Sequence, residues 1–171
     1  MRYLIYLIIS LVMQVIALVI TPVLPLFAVR RMGWCDNHSY LAEEPRLPNW
    51  LSWFDTPDNG LFGDSNFQAN HIFTNPYLAK VIWLYRNSLY GFKWSVLAMP
   101  IQVEDREVEG DPFIDYHTER FGYLKIKQKN GAWQCKLVTP FLGKILVLNL
   151  GWLLDDPSQD KALFMCSPRL K

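Results

Sequence analysis

The chain has 171 residues, 51% of them hydrophobic, which is room for one modest domain even after an apolar membrane segment is subtracted, and excludes disorder for most of its length. Lys plus Arg number 17 against 16 Asp plus Glu, a formal charge of +1 that gives nucleic acid no general attraction. Three cysteines at unrelated spacings, Cys35, Cys135 and Cys166, exclude the framework of a disulfide-stapled secreted domain.

From Tyr3 to Val29 there is no charged residue, and the first nineteen of these positions precede any proline. At about 1.5 Å per residue a helix of that length approaches the ~30 Å hydrocarbon thickness, so it is expected to span a bilayer. A cleaved signal peptide has a shorter apolar region, about 7 to 15 residues, ending at a small-x-small site. Here "LPLFAVRR" offers only Ala28 with a leucine at the earlier small position, so an uncleaved anchor is expected. Pro22 and Pro25 remove backbone donors and end the helix near Thr21. Ser10 and Gln14 are four apart and share a face. A mid-bilayer Gln14 needs a hydrogen-bond partner, either its own backbone or a second copy of the helix in a homo-oligomer. Flanking basic residues, Arg2 on one side and Arg30, Arg31 and Arg46 on the other, tilt the soluble part toward the cytoplasm.

Residues 30–46 show no sustained periodicity and read as a linker. Cys35 and His38 within it form a C-x-x-H that lacks the second ligand pair zinc requires, so no metal is expected. Trp50, Trp53 and Phe54 then give a short helical turn one aromatic face, suited either to the headgroup level of a membrane or to capping a small core. "TPDNG" supplies tight-turn chemistry. As a calcium loop the stretch fails, because aligning Gly60 with the EF-hand glycine puts Pro57 and Asn66 where carboxylates belong. Asp55, Asp58 and Asp64 nevertheless stand as weak candidates for acid–base or cation chemistry, with His71 or His117 as helpers. Asn75 before Pro76 marks the start of a helix, "PYLAKVIWLYRN", whose stripe of Leu78, Val81, Ile82 and Tyr85 is expected in the core.

An acid-rich connection follows, with seven acids between Glu104 and Glu119. Asp115, His117 and Glu119 alternate, so in a strand they would share a face. Asn130-Gly131 between two alternating runs predicts a type I′ hairpin that sets Leu124 opposite Leu137 and Ile126 opposite Cys135. In that register Lys125, Lys127 and Lys136 form a basic face, a candidate contact for anionic headgroups. "KILVLNLGW" reads as the third strand of a meander, and residues 155–171 as a tail. The fold class is therefore α+β: a transmembrane anchor (1–29), a linker (30–46), a small domain with a short helix and an antiparallel β-meander (47–154), and the tail.

The segments "LPNWLSWFDTPDNGLFGD", "VIWLYRNSLYGF" and "GAWQCKLVTPFLGKILVLNLGW" together resemble a family of small uncharacterised proteins of tailed bacteriophages and prophages. The resemblance carries no established activity; it implies a phage product at the inner membrane of an infected bacterium. No nucleophile elbow, P-loop, dinucleotide fingerprint or H-E-x-x-H helix is present, so no cofactor is expected and an enzyme is the less favoured reading. The expected function is a single-pass membrane-anchored module that binds the bilayer or a host or phage protein, with Trp50, Trp53 and the lysine face as contacts. The alternative is a metal-dependent membrane-associated hydrolase built on the 55–64 aspartate loop.

Overall fold

The computed structural model describes residues 2–35, 40–71, 75–156 and 159–171. The architecture is α+β with an apolar first helix and antiparallel sheets, and the chain divides into two compact units, Met1–Ser95 and Val96–Lys171. The division falls inside the single 47–154 domain expected from sequence.

In the first unit, helix α1 (Arg2–Ile20) is followed by a 3-10 turn, Leu24–Phe27. The expected linker is instead an antiparallel pair, β1 (Val29–Cys35) with β2 (Tyr40–Arg46), and Val29 faces Arg46 across it. A 3-10 helix, Asn49–Phe54, carries the tryptophans. Helix α2 (Ser65–Asn70) starts at Asp64, whose carboxylate accepts the Phe67 N–H at 2.6 Å. Helix α3 (Pro76–Arg86) begins where Asn75-Pro76 predicts it: the Asn75 side chain caps the Tyr77 and Leu78 N–H groups, and the proline occupies a position that needs no donor. A short helix α4 (Tyr90–Phe92) runs on into a π-helical turn, Lys93–Leu97.

One core cluster of this unit gathers leucines from many segments: Leu24, Leu47, Leu51, Leu61 and Leu84, with Ile20, Ala28 and Phe54 packed against them. The buried face of α3 is the predicted one only in part: Val81 is buried and Ile82 half-buried as expected, but Leu78 and Tyr85 are not. Ala79, Val81, Trp83 and Leu84 turn inward, while Leu78 and Tyr85 are 48% and 37% exposed. The helix is apolar nearly all round, and polar matching selects the face: Trp83 Nε1 donates to Thr56 Oγ1 at 3.2 Å.

The second unit is built on a five-stranded antiparallel sheet in the order β4 (Arg106–Gly110), β5 (Gly122–Gln128), β6 (Trp133–Phe141), β7 (Lys144–Trp152), β9 (Phe164–Leu170), with β3 (Met99–Pro100) and β8 (Lys161–Ala162) as a separate short pair. The meander is present, and the expected tail supplies its last strand. Its core side includes Leu124, Ile126, Val138, Leu154 and Phe164, and the buried Trp152 donates to the Leu97 carbonyl at 2.8 Å. One edge strand, β4, carries Glu107 and Glu109; the other, β9, carries Pro168 and Arg169.

The hairpin register differs from the prediction by one residue: Ile126 faces Gln134, Lys125 faces Cys135 and Leu124 faces Lys136. Within this turn Gly131 alone takes positive φ, at +88°; its N–H donates to the Gln128 carbonyl at 3.0 Å, and Gln128 N–H bonds the Ala132 carbonyl. This is a type I turn closed by a glycine bulge, which adds one residue to the loop. The two-residue loop with positive φ at both positions occurs at the next turn, Leu142 (50°) and Gly143 (75°).

Candidate functional site

Because residues directly opposite share a face, the shifted register separates the predicted lysine cluster. Lys125 and Lys127 stay together on one face, opposite Glu109 and Glu107 of β4, and Lys125 reaches Glu109 at 3.5 Å. The counter-charge thus comes from the acid-rich connection. Lys136 lies on the other face, half-buried, 3.4 Å from Asp155. There it lines a hollow of about 180 Å³ with Asn149, Ser167 and Arg169.

The second predicted cluster also dissolves. Asp115 bridges to Arg120, turn residues carry His117, and Glu119 has φ +53°, so the strand alternation that would align the three does not form. The Asp115 carboxylate instead accepts the Thr118 N–H at 3.2 Å, and His117 packs on Tyr116. The Phe113 N–H and Arg120 hold the Asp111 carboxylate below its ordinary pKa.

Of the loop aspartates, Asp64 caps α2, and Asp55 is a buried bolt. Its Oδ2 accepts the Leu47 N–H at 3.0 Å and meets Arg31 at 3.5 Å, its Oδ1 accepts the Thr56 N–H at 3.0 Å, and its backbone carbonyl accepts the Gly91 N–H at 3.0 Å. Burial is the largest influence on this carboxyl and outweighs those donors, pushing its pKa up from 3.8 to about 6. Arg46, also buried, donates to the Thr56 carbonyl at 3.2 Å and lies 3.8 Å from Glu44, which in turn accepts the Gly60 N–H. Among the described residues no group of three or more His, Cys, Asp and Glu is placed to hold a metal ion. Within the 55–64 stretch, Asp55 and Asp64 both hold backbone N–H groups of the fold. The Cys35–His38 pair extends outside the described residues. Beside this stretch, Arg31, Arg46, Asp55, Thr56, Ser52 and Trp94 line a hollow of about 270 Å³.

The region with the most distinctive arrangement is the seam between α1 and α3. Ser10 and Ala17 are the buried residues of α1, and Thr21 continues their stripe. Along that side Gln14 Nε2 donates to Ser88 Oγ at 2.6 Å, the Tyr85 hydroxyl donates to the Leu18 carbonyl at 3.0 Å, and the Tyr77 hydroxyl donates to the Pro22 carbonyl. The bond to Leu18 has a clear cause. In an α-helix that carbonyl is served by the N–H four residues on, which is Pro22 and has none, so Tyr85 supplies the missing donor. The partner that Gln14 finds is thus Ser88 of the same chain. Pro22 signals in the sequence that a donor is needed, but nothing signals which tyrosine provides it.

The other sides of α1 expose Leu4, Ile8, Leu11, Val12, Val15 and Val19, among others. The exposed apolar surface continues past the helix through Val23, Leu26 and Phe27, and Phe27 meets Trp50 edge-on at 5.6 Å. Trp50 is 71% exposed; Trp53, 47% exposed, packs edge-on against Phe92.

The chain belongs to a family of unknown function, DUF7338, whose model matches residues 1–169. Comparison with curated proteins and with solved structures found no match. Among the described residues one helix, Arg2–Ile20, is long and apolar enough to cross a membrane.

Proposed function

We propose that the protein is a single-pass membrane-anchored interaction module, with α1 retained in the mature chain as its anchor. The observation that carries this reading is that α1 and the turn after it are parts of the first unit. Leu24 belongs to the leucine core, Ile20 packs against that core, and Gln14, Leu18 and Pro22 are hydrogen-bonded to α3 or the residues just after it. Cleavage near Val29 would remove Leu24 from the core and take away the partners of Ser88, Tyr77 and Tyr85. Arg30 and Arg31 favour a cytoplasmic position for the remainder. The resemblance to phage products makes the inner membrane of an infected bacterium the setting, and a host or phage protein the partner beyond the bilayer itself.

The test is alkaline extraction of bacterial membranes carrying the full chain with a carboxy-terminal tag, followed by the intact mass of the recovered protein. Retention in the pellet at full length is expected. A soluble product, or one beginning near Val29, overturns the proposal.

A further inference from the structure

The hydrogen bonds of the α1–α3 seam fix how deep α3 must sit once α1 enters a bilayer. Tyr77 bonds Pro22, Tyr85 bonds Leu18 and Ser88 bonds Gln14, so α3 and the residues after it run antiparallel to the last part of α1. Gln14 lies six residues before the end of the 19-residue helix, about 9 Å along its axis. If α3 stayed in water, α1 could enter the hydrocarbon only from Arg2 to Met13, about 18 Å of helix against a ~30 Å core. If the whole of α1 is used, its length is about 28 Å and the match is close, but α3 is then carried below the surface with it.

The composition of α3 fits the second arrangement. Its outer side presents Leu78 and Tyr85, exposed, with Ile82 half-buried between them, and the Tyr85 bond to Leu18 sets this side beside the part of α1 that exposes Val15, Leu18 and Val19. Its charged residues are Lys80 and Arg86, with no acid. Both basic groups fold back over rings of the unit: Lys80 lies 5.3 Å from the Phe62 ring centroid, and Arg86 lies 5.9 Å and 5.8 Å from those of Phe67 and Trp83. That placement keeps the charge on the polar flank and leaves the apolar stripe clear. A depth of about 9 Å is within the roughly 5–10 Å to which interfacial helices sink. Trp50 and Trp53, exposed beyond the helix end, are the ring type that settles at the headgroup level.

We infer that α3 is a second membrane-embedded element: it lies at the acyl–headgroup boundary of the leaflet from which α1 emerges, with acyl chains against Leu78, Ile82 and Tyr85 and headgroup phosphates near Lys80 and Arg86. The inference rests on α1 being a retained anchor. Its occupant is lipid, because the surface is continuous with the exposed face of a helix that spans.

The test uses the full chain with Cys35, Cys135 and Cys166 replaced by serine and a single nitroxide at Val15, Leu78 or Ile82, reconstituted in phosphatidylethanolamine–phosphatidylglycerol nanodiscs. Collision of each label with oxygen, which concentrates in acyl chains, is compared with collision with a water-soluble nickel chelate. The expected result is an oxygen-to-nickel ratio severalfold above that of free label at all three positions. A high ratio at Val15 with a water-like ratio at Leu78 and Ile82 overturns the embedding of α3 while leaving the anchor intact. Water-like ratios at all three positions overturn the anchor and, with it, this inference.

Discussion

Asp55 makes the first unit respond to acid in the opposite sense from an ordinary ion-paired carboxylate. Its proton is held more tightly in the folded chain, where the pKa is about 6, than at its ordinary value of 3.8. Its contribution to stability is therefore fully present below about pH 3.8 and is lost as the pH rises through 6. At roughly 1.4 kcal/mol per tenfold change in proton affinity, the difference amounts to about 3 kcal/mol between the two ends of that window. Asp55→Asn removes this titration. It also loses the acceptor for one of the two backbone N–H groups, at Leu47 or Thr56, a pH-independent cost of about 1–3 kcal/mol. Denaturant unfolding of both proteins in mild detergent, followed from about pH 4 to about pH 7, gives a difference in which other carboxylates cancel, including Asp111 with its lowered pKa. Over that window the wild type should gain on the variant by about 2–2.5 kcal/mol as the pH falls, the remainder of the roughly 3 kcal/mol appearing below about pH 4. A difference that is flat across the window, or that grows as the pH rises, refutes the reasoning.

Two contrasts test the packing directly. Leu24→Ala should destabilise the protein by about 2–5 kcal/mol, because Leu24 is 3% exposed in the leucine core, while Leu26→Ala, at a 70% exposed position, should change stability by less than about 0.5 kcal/mol; equal shifts in thermal melting would remove Leu24 from the core. Leu142 holds φ at 50° in a two-residue hairpin loop with its side chain 88% exposed, so Leu142→Asn should raise stability by about 0.5–1 kcal/mol, measured as an increase in the urea midpoint.

Features written locally in the chain were legible. The uncharged run after Arg2 names α1, Asn75-Pro76 names the start of α3, and the alternation around Asn130-Gly131 names a hairpin. What escaped was decided by partners far along the chain. Asn-Gly serves a type I turn with a glycine bulge as well as a type I′ turn, and the choice moved Lys136 to the other face. Helix α3 has apolar residues on two sides, and spacing alone favours a stripe of which Val81 turns inward while Leu78 and Tyr85 stay exposed; the inward side is set by Trp83 finding Thr56. Strands β2 and β9 look like linker and tail because each contains a proline and charged residues, which suit the margin of a sheet better than its middle. Asp55 binds four segments together, a role that depends on the depth of its burial and that residue type and spacing do not announce.

The margins of the five-stranded sheet bear on how the second unit meets other molecules. Along β4 the acids Glu107 and Glu109 stand beside the lysines of β5, and along β9 Pro168 breaks the run of backbone donors next to Arg169. Neither border offers an incoming peptide a clean ladder to extend, so recruitment by strand addition is disfavoured, as is stacking of this unit into fibres. Whatever docks there has to recognise side chains on the broad surfaces of the sheet, so point substitutions on those surfaces, rather than backbone-directed changes at the borders, are the way to map it.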